Sequence, residues 1–188
     1  MRKNISLIGG SHGIGFEIAF KLYDDHNIFI ASRSSERLDN LELTHIPYDT
    51  STEEIDIYKL PNHLDGYCPG TINLKPFKIL SPEVFLEDMQ INFMFLIKAI
   101  QSILSLLKKS EQASLIFFST VVVKIGMPFY TNIAAVKDTI ESFAKALVAE
   151  YAPKFRVNVI APSLTNTSLA EKLLSNEKNE KKWMIFIH

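Results

Sequence analysis

Residues 5–15 read ISLIGGSHGIG, an apolar run that stops at Gly9 and leads into a stretch of helical period. Gly9, Gly13 and Gly15 make a G-x-x-x-G-x-G spacing, with Ser11, His12 and Ile14 between them. Glycine suits such a turn because the chain bends sharply and its backbone must come close to an anion. The helix that follows then offers unpaired N–H groups and a partial positive charge. A strand before the glycines and a helix after them favour the pyrophosphate-binding turn of a dinucleotide fold over a glycine-rich turn without a ligand.

Outward from this turn, short apolar runs alternate with longer stretches of helical period, the pattern of a parallel sheet covered by helices. Strands are expected at Lys3–Ile8, Ile28–Ala31, His45–Tyr48, weakly near Tyr67–Cys68, Ser114–Phe118 and Arg156–Ile160. Their apolar runs are continuous, as in strands buried on both faces. Helices are expected over about Gly13–Tyr23, from Ser81-Pro82 to Lys108, and over Thr131–Tyr151. In the second, Ser81 reads as the cap and Pro82 as the first helical residue. In the third, Val136, Ile140, Phe143 and Leu147 form one apolar stripe, and Pro153 ends the helix. The fold class is α/β: one Rossmann-like domain over residues 1–174, a doubly wound parallel sheet with helices on both faces.

Two segments depart from that plan. The fourth strand is thin, because Asp65-Gly66 are poor strand formers. Residues 175–188 form an atypical tail in which a charged run gives way to WMIFIH, reading as a truncation or a shifted frame in place of the last strand.

Composition narrows the function. The chain has 188 residues, 47% hydrophobic and 22% charged, with 20 basic against 21 acidic side chains. Such balance provides no field for nucleic acid or an anionic membrane, so neither partner is expected. A lone cysteine, Cys68, excludes an internal disulfide and fits a cytoplasmic setting. The apolar stretch INFMFLIKAI is interrupted by Lys98, so no membrane span is expected, and no metal site is expected either. At the end of the second strand stand Ser32 and Arg33, with no acid before Glu36. An acid there would hold a ribose 2′-hydroxyl, whereas arginine accommodates a 2′-phosphate, so NADP(H) is favoured over NAD(H). His12 adds a contact to that phosphate or simply stands in solvent.

Several motifs in this order resemble the short-chain dehydrogenase/reductase family. GGSHGIG resembles its glycine motif, with Ile8 where threonine is usual. Asp49 matches the aspartate that meets the adenine amino group, and Gly70 of YCPG matches the glycine of the family's Asn-Asn-Ala-Gly. RVNVIAPS resembles the segment after the catalytic helix, with Pro162 kept, Ser163 in place of glycine, and Thr167 where a threonine contacts the nicotinamide carboxamide.

The resemblance also implies a catalytic set. Lys137 matches the lysine that holds the ribose and lowers a tyrosine's pKa, and Asn92 matches the asparagine that orders a relay water. Thr120, with Ser119 beside it, stands at the serine position thirteen residues before the tyrosine position. A threonine hydroxyl still donates and accepts. The tyrosine position is Ile133, which has no proton to give, and loss of such an acid costs about 10²–10⁴-fold in rate. Tyr130 is a weak substitute, about 10 Å from Lys137 along the helix axis.

The expectation is an NADP(H)-dependent oxidoreductase moving hydride between nicotinamide and a small carbonyl or alcohol, with an atypical proton donor. A catalytically inactive NADP(H)-binding protein of the same fold, with a sensor or interaction role, is the alternative, and a nonfunctional fragment a third. A homodimer through the long helices is the assembly to expect, while the short end weakens the case for a tetramer.

Overall fold

Strand β1 (Asn4–Ile8) runs into helix α1 (Gly13–Leu22), which returns the chain to β2 (Asn27–Ser32) and then β3 (Thr44–Pro47). The computed structural model describes residues 2–49, 56–61, 74–111, 113–163, 165 and 167. Later come α2 (Pro82–Met89), α3 (Phe95–Lys109), β4 (Ser114–Phe118), the short α4 (Val122–Ile125), α5 (Thr131–Tyr151) and β5 (Arg156–Ile160). The described strands form two parallel ladders, β1-β2-β3 and β4-β5. The expected strand near Tyr67–Cys68 and the tail of residues 175–188 lie outside the described residues. Pro47, with no N–H to donate, falls at the end of β3, where β3 pairs on one side with β2.

Alternation along the strands builds two cores. Leu7, Ile28 and Ile30 face one side and pack with Ala19 of α1 and Leu38. Ile8, Ala31 and Ile46 face the other, joining Leu96, Ile100, Ile103 and Leu107 of α3, Leu115 and Phe117 of β4, and Ile140, Ala144 and Leu147 of α5. This is why these strands read as continuous apolar runs. The stripe expected on α5 is the buried one, with Val136, Ile140 and Leu147 all inside.

The helix expected from Ser81 to Lys108 is helical throughout but not α-helical throughout. A π turn, Gln90–Met94, separates α2 from α3, and the Phe95 N–H reaches back to the Gln90 carbonyl. One extra residue is accommodated there, which rotates α3 relative to α2. Ser81 holds the cap position and Pro82 the first turn, but the Ser81 side chain makes no capping bond. By length and hydropathy, Pro82–Lys109 is long and apolar enough to cross a membrane. Its most apolar face, Leu96, Ile100, Ile103 and Leu107, is instead turned into the core, while Leu86 and Met94 stand exposed on the other side.

The two faces of this helix are expected to differ in urea unfolding. Leu107→Ala, at a fully buried position, should cost about 2–5 kcal/mol. Leu86→Ala, 68% exposed, should stay within about 0.5 kcal/mol.

Candidate active site

Within each ladder the strands are parallel, so their carboxyl ends lie together, and Thr167, beyond β5, comes against Gly13, beyond β1, to join the two sets of ends into one rim. Gly9 follows β1, Ser32 and Arg33 close β2, Asp49 follows β3, Ser119 and Thr120 follow β4, and Pro162 follows β5. Backbone bonds stitch the rim beyond the strands: Gly9 N–H to Ala31 O at 2.8 Å, Tyr48 N–H to Ser32 O at 3.1 Å, Ser119 N–H to Ile160 O at 2.8 Å and Val121 N–H to Pro162 O at 3.2 Å.

The glycine turn is shaped as its spacing requires. Gly9 and Gly13 have φ of 81° and 56°, a region that side chains with a Cβ rarely adopt. A Cβ on Gly15 would lie 2.8 Å from Gly10 Cα, so only glycine lets α1 start this close to β1. A Cβ on Gly13 would sit 3.6 Å from Cβ and Cγ2 of Thr167, which places Thr167 against the turn. Helix α1 carries no acid in its first turn, so no side chain of its own competes for an anion there. His12 is the exposed N-cap residue, and its Nδ1 lies 3.0 Å from the Ser11 hydroxyl.

At the end of β2 the structure separates two neighbours. Ser32 is buried, its hydroxyl donating to Ser34 O at 2.8 Å and lying 3.1 Å from His45 Nε2. Arg33 is exposed on the rim. Sequence reasoning missed Arg37, whose guanidinium lies 4.9 Å from the ring centroid of Phe16 on α1. This second cation beside α1 was written in SSERL but had no motif to mark it. Gly70 lies outside the described residues.

The catalytic candidates gather around the start of α5. Lys137 is buried, and its ammonium donates to the Phe118 carbonyl at 3.1 Å. Burial pushes its pKa down from 10.5 to about 8. Thr120 is half-buried, and its oxygen accepts from Val122 N–H at 3.4 Å, leaving its proton to donate elsewhere. Asn92 is buried inside the π turn, where its amide donates to Asp88 O at 3.0 Å. Asp88 in turn accepts from the Asn132 amide, tying α2 to the first turn of α5, and the Asn132 Oδ1 is buried with no partner among the described residues. Ser119 turns from the rim and donates to Glu141 Oε1 at 2.7 Å.

Ile133 is 2% exposed and packs with Val122 and Tyr130 in a small apolar cluster. Tyr130 itself is buried at the N-cap of α5, and burial raises its pKa above the usual 10.0. A phenol held more firmly protonated and packed with Val122 makes a poorer proton donor than one lowered by a lysine.

Comparison with known proteins agrees with this architecture. A family model described as enoyl-(acyl carrier protein) reductase matches residues 62–186. A 3-oxoacyl-[acyl-carrier-protein] reductase, FabG, of Chlamydia trachomatis is 27% identical over 201 residues, covering 96% of this chain and 81% of that protein. A short chain dehydrogenase of Shigella flexneri complexed with NADP superposes with a TM-score of 0.82 at 26% identity, covering 95% of this chain and 84% of that one. One from Escherichia coli CFT073 complexed with NADPH gives the same TM-score, identity and coverage. The chain belongs to the short-chain dehydrogenase/reductase family, whose members are oxidoreductases on a Rossmann-like fold.

The buried lysine has a measurable signature. A lysine whose pKa is lower in the folded state binds fewer protons there, so stability rises as pH climbs from about 8 towards 10.5. Lys137→Met is expected to raise the thermal midpoint of the cofactor-free protein near neutral pH, by up to about 3 kcal/mol in stability. It should also flatten the rise at alkaline pH. Calorimetry of both chains across that range checks it.

Proposed function

We propose that the chain binds NADP(H) along the strand-end rim and moves hydride between the nicotinamide and a small carbonyl or alcohol substrate. The observation that carries this reading is the joining of a glycine turn built for close backbone approach to a buried Lys137 on the same rim. The residues fit the cofactor: Gly9 and Gly13 take a positive φ that residues with a Cβ rarely adopt, Gly15 lets α1 start close to β1, and the first turn of α1 carries no acid. The first-turn N–H groups of α1 would hold the pyrophosphate, Asp49 the adenine, Arg33 the 2′-phosphate, and Thr167 the carboxamide. The NADP and NADPH held by similar dehydrogenases of known structure support that assignment.

When bound, the cofactor supplies or accepts the hydride. Lys137 offers further N–H groups beyond the one given to Phe118 O, to hold a ribose and to supply a proton. Thr120 orients the substrate oxygen with its hydroxyl. Asn92 is buried in the π turn, its amide held by the Asp88 carbonyl. The nearly neutral charge balance and single cysteine support a cytoplasmic setting. The exposed Leu86 and Met94 on the long helix support a homodimer through it. A second reading, an NADP(H)-binding protein without turnover, is favoured by the burial of Ile133 in an apolar cluster.

One series of measurements separates the readings. NADPH fluorescence on titration with protein should report binding, and a panel of carbonyl compounds should then consume NADPH absorbance. Ile133→Tyr is expected to raise that rate by about 10²–10⁴-fold. Binding without turnover in the native chain, with turnover gained in the tyrosine variant, establishes the second reading. No binding of either nicotinamide cofactor overturns both.

A further inference from the structure

Helix α5 carries a second buried ion beside Lys137. Ile133, Lys137 and Glu141 recur at one-turn spacing, and all three are buried. A carboxylate at this depth needs partners to offset its lost hydration. Glu141 has them at both ends of one short segment. Its Oε1 accepts from the Ser119 hydroxyl at 2.7 Å, and its Oε2 pairs with Lys124 Nζ at 3.1 Å. Ser119 comes immediately before Thr120, and Lys124 lies in α4, which follows it. The Ser119 hydrogen bond, followed by Lys124 and Lys145, keeps the Glu141 carboxyl below its ordinary 4.5 despite burial.

We propose that Glu141 is a positioning residue, which through Ser119 clamps the turn after β4 onto α5 and so fixes the Thr120 hydroxyl relative to Lys137. The role rests on the reading of Thr120 and Lys137 as the groups that meet substrate and cofactor. Two backbone bonds already pin the turn on its β5 side, Ser119 N–H to Ile160 O and Val121 N–H to Pro162 O. Glu141 supplies the anchor on the α5 side. An apolar residue would fit the helix next to Ile140 and Ala144 at less desolvation cost, so what a charge adds here is a defined geometry. Gln at this position keeps an oxygen for Ser119 and loses the ion pair with Lys124, whose side chain is 67% exposed and contributes little.

The test uses the full chain carrying ¹³C-methyl threonine, with the Thr120 signal assigned through Thr120→Ser. In Glu141→Leu and in Ser119→Ala the Thr120 methyl signal is expected to shift and broaden, while those of Thr131 and Thr139 on α5 stay in place. Glu141→Gln is expected to return the Thr120 signal to its native position. A Thr120 signal unmoved in both disruptive variants overturns the clamp, as does equal movement of Thr131 and Thr139, which would mean general loosening of the helix. Should Glu141→Leu not fold, Ser119→Ala alone decides. NADPH titration of the native sample is the separate arm: failure to bind overturns the cofactor reading, while the methyl shifts still decide the clamp.

Discussion

Parallel pairing is the constraint on which the rest depends. Each strand must be followed by a return crossover, so every strand ends on the same side and every turn there opens on one rim. Parallel pairing gathers the glycine turn, Arg33 and Asp49 at the ends of one ladder and Thr120 and Pro162 at the ends of the other, and the approach of Thr167 to Gly13 joins the two. It also sets the demands on the interior. A strand covered on both faces must be apolar at both odd and even positions, and Leu7 and Ile8 go to different cores.

What the sequence made legible follows physical signals of short range. The glycine turn could be read because its spacing is imposed by backbone geometry, and φ of 81° and 56° at Gly9 and Gly13 is that requirement seen directly. Helix α5 could be read from Thr131 to Tyr151 because its apolar stripe, Val136, Ile140, Phe143 and Leu147, keeps the helical period over about three turns. The π turn could not, because Gln90–Met94 has nothing in its composition to distinguish it from an ordinary helical turn. It shows only in the backbone bonding, where the Phe95 N–H reaches back to the Gln90 carbonyl. Glu141 was equally hidden, since an acid among Lys137, Asp138 and Lys145 reads as a solvated charge until the fold brings Ser119 against it. Asp88 and Asn132 are 44 residues apart, and no local pattern links them.

The same geometry explains what Ile133 does. In the family's usual arrangement a phenol one turn before the lysine would share the lysine's field. Here that site is hydrocarbon, closed by Val122 and Tyr130, so the polarity of the rim ends one turn earlier on α5. Besides the Tyr130 phenol, the proton-bearing candidates among the described residues are Thr120, Lys137 and the Ser119–Glu141 pair, gathered where β4 meets α5. On the proposed function, chemistry at this site would depend on how burial and hydrogen bonding tune a lysine, and not on a phenol one turn before it. Burial has brought that lysine to about 8, close to where a donor and acceptor of protons works best.

The link between Asp88 and Asn132 bears on how the molecule breathes. Tyr130, at the N-cap of α5, offers its first turn no side-chain acceptor, so that turn is steadied by a buried bond to a different helix. Neither end can fray alone, because release of either leaves a polar group stranded away from water. Helix α2, the π turn and the opening turn of α5 therefore form one cooperative opening unit. Their amide protons would exchange with solvent together, and more slowly than expected for a helix end without a cap.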